Sequence, residues 1–150
     1  MREKQGNGPY NIFAETGINI EFYDLDPMKI VWHGNYIKYF ETGRRVLLEK
    51  IKFGFKDMEE AGFAFPIIEL SAKYIEPLRF NDKVIIKAIL MEYENRLKIK
   101  YEIRNDETGI ITTKGMSTQM AINMIKNESC FVCPKILIDK VEALFGREKQ

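Results

Sequence analysis

The order of its segments predicts an α+β fold for this chain, an antiparallel five-stranded sheet wrapped around one long central helix, with a short helix at the C-terminus. Three observations predict it. Residues 35 to 52 hold a helical period over about four turns. Strand-like runs at 63–75, 83–93, 97–104 and 109–124 follow, separated by short turn signals. No segment between those runs has the helical period that a parallel crossover requires, so neighbouring strands run antiparallel.

Taken in order, residues 1–16 open with MREKQGNG and read as a polar lead-in. Residues 18 to 23 then alternate, Ile18, Ile20 and Phe22 against Asn19 and Glu21, as a half-buried strand does. In the helix, Ile37, Phe40, Gly43, Leu47 and Ile51 recur every three or four residues. Asn35 is the expected N-cap, and Gly54, after Lys50 and Lys52, the expected stop. Gly43 in the apolar stripe costs about 1 kcal/mol relative to Ala, which close approach of helix to sheet repays. Residues 97–104 alternate strictly and so leave one face wet, whereas 83–93 carry apolar side chains on both faces, the mark of a subunit interface. The tail starts a helix at Pro134 and spaces Leu137, Val141, Leu144 and Phe145 along one side, to pack on an edge of the sheet.

Length and composition fit one domain over residues 1–150, with 45% hydrophobic residues to build its core. Lys+Arg of 23 against Asp+Glu of 22 gives a net charge of +1, which calls for neither nucleic acid nor an anionic membrane as partner. No apolar run approaches the roughly 20 residues that span a bilayer, so a cytoplasmic protein is expected. Cys130 and Cys133 form a lone C-x-x-C, and His33 is the one histidine. A structural zinc site needs about four ligands, so the cysteines read as reduced thiols and no metal or cofactor is expected.

The chemistry is concentrated in residues 22 to 45, F-Y-D-L-D-P-M-K-I-V-W-H-G-N-Y-I-K-Y-F-E-T-G-R-R. Asp24, Asp26, Ile30, Val31, His33, Asn35, Tyr36, Phe40, Glu41 and Arg44 stand there in order and without gaps. The run resembles the signature of the 4-hydroxybenzoyl-CoA thioesterase family and its broader branch of bacterial acyl-CoA thioesterases. In that signature a D-x-D loop precedes I/V-V-x-H/Y and a helix ending F-E-x-x-R. Residues 74–82 resemble the family's strand connection, and the likeness extends over about residues 17 to 125. It implies the hot-dog fold, assembled as a homodimer or homotetramer with active sites at the subunit interface. It also implies Asp26 as the catalytic carboxylate and His33 as the residue whose backbone N–H binds the carbonyl oxygen.

The same residues suit thioester hydrolysis on physical grounds. The reaction needs a carboxylate to attack the carbonyl carbon or to activate water, and donors for the developing oxyanion. Asp26 precedes a helix whose first N–H groups, near His33, Gly34 and Asn35, point outward with partial positive charge. A thiol with a pKa of about 8.5 leaves without a strong acid, so the site needs no Ser-His-Asp triad. Nucleophile and general base both remain open for Asp26. Asp24 reads as a structural turn former, and Glu41, an i,i+3 neighbour of Arg44, as a reserve carboxylate.

Among the aromatics, Trp32 and Tyr36 are the expected acyl-pocket residues, although aromatics at helical spacing more often fill a core. Lys73, Arg79 and Lys83 are the expected partners of coenzyme A phosphates. Lys29 stands where the family commonly has Gly, and a left-handed backbone there would strain it. The expected activity is hydrolysis of acyl-CoA to free acid and coenzyme A. Alternatives are a thioesterase for acyl carrier protein and a non-catalytic acyl-CoA-binding domain.

Overall fold

The computed structural model describes residues 6–145, so residues 1–5 of the expected lead-in fall outside it. Its elements are β1 (Phe13–Asn19), α1 (Tyr36–Ile51), α2 (Phe55–Ala61), β2 (Phe63–Ala64), β3 (Ile67–Tyr74), β4 (Lys83–Glu92), β5 (Leu97–Asn105), β6 (Ile111–Gln119), β7 (Ile122–Asn123), β8 (Glu128–Ser129) and α3 (Lys135–Glu142). Five strands form one antiparallel sheet in the order β1-β4-β5-β6-β3, and β2, β7 and β8 make a small ribbon. The sheet holds α1 against one face, as the sequence predicts.

Helix α1 packs on β1, β4 and β5. Val84, Ile86, Ala88 and Leu90 of β4 and Leu97, Ile99, Tyr101 and Ile103 of β5 turn toward it and are buried. Each aliphatic side chain so buried contributes roughly 1.5–3 kcal/mol. Gly43 sets the contact distance: a Cβ there would lie 2.8 Å from Ile86 Cγ2. Beyond β5 the inner face changes character. Thr113, Gly115, Ser117 and Gln119 of β6 are small or polar yet buried. The Phe40 ring fills the space over Gly115, where a Cβ would come within 2.5 Å of it, and stacks on Tyr101 at 4.7 Å.

Several boundaries differ from expectation. The first strand is β1, which starts at Phe13 inside the supposed lead-in and ends at Asn19; Phe22 stands 71% exposed in a single 3-10 turn. Ile12 and Ala14 supply the buried side chains that anchor this strand. Helix α1 stops at Ile51, where Lys52 rather than Gly54 takes the left-handed position (φ 68°). Gly54 instead begins α2, a helix absent from the expectation because only Met58 of its seven residues is buried and no periodic stripe marks it. The Asp57 carboxylate accepts the Gly54 N–H at 3.0 Å and closes its first turn.

The outer face of β4 is not left open at Ile89, which is 1% exposed. The lead-in covers it, with a Cβ on Gly8 only 2.7 Å from Ile89 Cγ2. The apolar second face there belongs to the chain's own packing. Helix α3 does not lie along a sheet edge. Lys140 Nζ donates to the Lys52 carbonyl, and the Tyr93 hydroxyl donates to Glu142, so α3 closes the end where α1 and β4 run out. Cys130 and Cys133 are both free thiols, and burial pushes the Cys133 thiol up to about 11. Among the described residues no helix is long and apolar enough to cross a membrane, and no group of His, Cys, Asp and Glu could hold a metal.

Candidate active site

The stretch from Ile20 to Asn35 folds back on itself as a hairpin pinned at both ends. At its base, the Ile20 N–H donates to the Asp82 carbonyl and the Asn81 N–H to the Ile20 carbonyl. Val31 N–H donates to the Leu78 carbonyl at 2.8 Å, so residues 75–82 hold the hairpin against the sheet. Leu25 pairs with Val31 across it.

Asp24 and Asp26 lie on this hairpin with separate tasks. The carboxylate of Asp24 is buried and accepts the Tyr39 hydroxyl at 3.0 Å and the Glu21 N–H at 3.3 Å. Burial and this carboxylate both push the Tyr39 phenol up. The Asp24 carbonyl accepts Trp32 N–H and Asn35 Nδ2. Asp24 is thus the structural aspartate, as expected.

Asp26 heads the tip. Its carbonyl accepts the Lys29 N–H at 2.9 Å, and its N–H donates to the Ile30 carbonyl at 2.8 Å, which makes a type I turn with Pro27 second and one bulged residue after it. The bulged residue is Lys29, and its φ of 65° is the left-handed conformation anticipated for it. Oδ1 of Asp26 accepts the Met28 N–H at 2.8 Å and the Ile30 N–H at 3.4 Å. Among the described residues Oδ2 has no hydrogen-bond donor. The turn-forming role and an available carboxylate oxygen therefore coexist in one side chain.

Across the hairpin from Asp24 lies the start of α1, preceded by the 3-10 turn His33–Asn35. Asn35 does not cap the helix: its backbone is already helical, its N–H donates to the Trp32 carbonyl at 2.8 Å, and its side chain goes to Asp24. Its amide is therefore spent. The N–H groups of His33 and Gly34 have no acceptor among the described residues. The His33 imidazole is exposed, and the His33 carbonyl accepts the Tyr74 hydroxyl at 3.0 Å. Ile30, the partner of Asp26 across the hairpin, stands three residues before His33, about 10 Å of extended chain at roughly 3.3 Å per residue.

Trp32 lies half-exposed with its indole on Gly34, where a Cβ would be 2.3 Å from the ring. That contact explains the glycine. Tyr36 is buried, its hydroxyl accepting the Leu78 N–H at 3.3 Å and its ring edge-on to Tyr74, so it holds the helix start to the 75–82 connection as a core residue. Phe22, Tyr23, Met28 and Phe80 project outward around the tip.

The three expected cations do not form one cluster. The strand order puts β5 and β6 between β3, which carries Lys73, and β4, which starts at Lys83, about 14 Å apart at strand spacing. Lys73 pairs with Lys114 across the outer face, and Lys83 sits opposite Asn19. Arg79 lies in the 75–82 connection beside Phe80, which meets Phe22 edge-on at 5.7 Å, and so remains near the hairpin.

Other proteins share the fold. A DHNA-CoA thioesterase structure from Staphylococcus aureus is 28% identical and superposes with a TM-score of 0.76, covering 92% of this chain and 95% of that one. YneP of Bacillus subtilis, a candidate acyl-CoA thioesterase, is 26% identical over 111 residues, 73% of this chain and 80% of that protein. The chloroplast acyl-acyl carrier protein thioesterase ATL3 of Arabidopsis thaliana is 34% identical over 76 residues, 51% of this chain and 40% of that one. The family model of the thioesterase-like superfamily matches residues 20–137, and the chain belongs to that superfamily.

Proposed function

We propose that the chain hydrolyses acyl-CoA thioesters, with Asp26 as the carboxylate that attacks the acyl carbon or draws a proton from water. The single observation that carries this reading is the division of labour within Asp26. Oδ1 is fixed by two turn amides, while Oδ2 has no donor among the described residues. A fixed carboxylate loses little freedom on reaching the reacting geometry. The unpaired N–H groups of His33 and Gly34 stand ready as oxyanion donors, in a place where the helix dipole adds to them. The thiolate of coenzyme A then departs unprotonated or takes a proton from water.

Trp32, with the apolar side chains around the hairpin tip, would receive the acyl or pantetheine portion, and Arg79 a coenzyme A phosphate. Such a fringe of exposed apolar residues calls for a neighbouring subunit, and a homodimer or homotetramer closing over the hairpin would bury it. A second reading, delivery of the acyl group on acyl carrier protein, is favoured by the 34% identity to ATL3.

The test is release of free thiol from a panel of acyl-CoA esters, run beside Asp26→Asn. The amide oxygen of Asn still accepts the turn N–H groups, so the hairpin stays folded while turnover falls by about a hundredfold to ten-thousandfold. Turnover retained in the variant would remove Asp26 from the mechanism. Binding without turnover in wild type would make the chain an acyl-CoA-binding domain, and exclusive turnover of carrier-bound acyl groups would select the second reading.

A further inference from the structure

The peptide unit that joins His33 to Gly34 is engaged on one side and open on the other. Its N–H, on Gly34, has no acceptor among the described residues and is one of the two oxyanion donors proposed above. Its carbonyl, on His33, accepts the Tyr74 hydroxyl at 3.0 Å. In a trans peptide the C=O and the N–H point to opposite sides of one rigid plane, so whatever fixes the carbonyl also fixes the direction of the N–H.

This plane is of a kind that turns easily. A peptide unit flips by rotating ψ of its first residue against φ of its second, and a glycine in second place lacks the Cβ that resists the rotation. A stiffer residue does not fit there, because the Trp32 indole occupies the place of a Cβ on Gly34, 2.3 Å from the ring. A flipped plane would present a carbonyl oxygen to the acyl oxygen and abolish the donor.

Tyr74 is itself well enough held to act as a brace. It ends β3 opposite Thr113 of β6, and the next two N–H groups, of Ile75 and Glu76, both donate to the Thr112 carbonyl. Its ring stands edge-on to Tyr36 at 4.9 Å, and Tyr36 is buried and tied to Leu78. The hydroxyl therefore reaches His33 from the sheet on a ring that is packed on one side. Beyond direction, a donor on the carbonyl polarises the amide and strengthens its N–H as a donor in turn, by about 10–30% for each bond in a chain.

We propose that Tyr74 is a positioning residue for the oxyanion site, its hydroxyl holding the His33 carbonyl so that the Gly34 N–H is aimed at the thioester oxygen. This rests on the thioesterase reading above. The experiment compares wild type with Tyr74→Phe, which keeps the ring against Tyr36 and removes one oxygen from a half-exposed side chain. Thiol release is followed on the ester of the acyl-CoA panel that turns over fastest. Dissociation constants for octanoyl-CoA, and the Gly34 amide resonance by NMR, are measured on the Asp26→Asn background, where no turnover is needed.

Tyr74→Phe is expected to lower kcat and kcat/KM together by about tenfold, less than the hundredfold or more that follows loss of a whole oxyanion donor. KM and the dissociation constant stay within about twofold of wild type, because the interaction gains its strength in the transition state. Octanoyl-CoA moves the Gly34 amide proton downfield as the N–H meets the acyl oxygen, and the displacement shrinks when Tyr74→Phe is added. A merely structural hydroxyl would give lower thermal stability with kcat unchanged, and that result overturns the proposal. A rise in KM at constant kcat overturns it too, since the hydroxyl would then touch the ligand itself. If wild type releases no thiol from any ester, the thioesterase reading fails and the Gly34 resonance decides alone. A displacement that shrinks in Tyr74→Phe upholds the hold of Tyr74 on that donor; no displacement, or one that Tyr74→Phe leaves unchanged, overturns it.

Discussion

The inner and outer sides of the hairpin 20–35 are built from the same residue type and do opposite things. On the inner side Asp24 is 5% exposed: its Oδ2 accepts the Tyr39 hydroxyl and the Glu21 N–H, and its Oδ1 pairs with Lys38 at 3.7 Å. On the outer side Asp26, two residues away, spends one oxygen on its turn and keeps the other. The difference shows that an aspartate's role here follows from where its second oxygen points, and that the chemistry rests on a scaffold made by its neighbour.

The largest expected effect comes from breaking the inner side. Asp24→Ala leaves the buried Tyr39 hydroxyl and the Glu21 N–H without acceptors, at a cost of about 3 kcal/mol in unfolding free energy. Asp26→Asn, on the exposed side, should stay within about 0.5 kcal/mol of wild type. Denaturant titrations of both variants check the contrast, and equal losses would show that Asp26 is also a structural residue.

Raising the pH tests the same side without mutation. Tyr39 is pushed above its ordinary 10.0 by burial and by the Asp24 hydrogen bond and charge. In the unfolded chain it ionises near 10.0, while in the folded chain it stays protonated, so the unfolded state binds fewer protons above that pH and stability falls as pH rises. The contribution is full below pH 10. Thermal unfolding between pH 8 and pH 11 is expected to show a decline from about pH 10 upward that is shallower in Asp24→Ala. An identical slope in both chains would mean that other groups carry it, Tyr101 and Tyr93 foremost.

The two sides also differ in how legible they were. The long helix was readable because Phe40, Gly43, Leu47 and Ile51 all face the sheet and all are buried. The tip was readable because Asp-Pro is turn chemistry and because Lys29 stands where the resembled signature commonly has Gly, the residue a left-handed backbone favours. The roles of Asn35 and Tyr36 were not, since each depends on a partner distant in sequence, the Asp24 carbonyl for one and the Leu78 N–H for the other. A cap and a tertiary strut use the same residue types. The cation cluster failed for a related reason: Lys73 and Lys83 are near in sequence, but the chain crosses two strands between them. Nothing in the local pattern of residues 75–82 announces that crossing. Arg44 was visible as an i,i+3 partner of Glu41, and the structure keeps that pair.

The smallest expected effect concerns the tip itself and separates backbone from charge. Lys29 adopts φ 65°, which for a residue with a Cβ costs about 1 kcal/mol or somewhat more. Lys29→Gly removes that strain but gives the unfolded chain more freedom, about 0.5–1 kcal/mol, so a net gain of about 0.5 kcal/mol is expected. Lys29→Ala keeps the strain and removes the charge. Stability should therefore rise in the glycine variant and not in the alanine one, as read from paired denaturation curves. Thiol release measured on the same two variants separates charge from shape, since a change of turnover common to both is an effect of the lost charge. A change in the glycine variant alone would assign the effect to the shape of the turn, and through it to the aim of Oδ2.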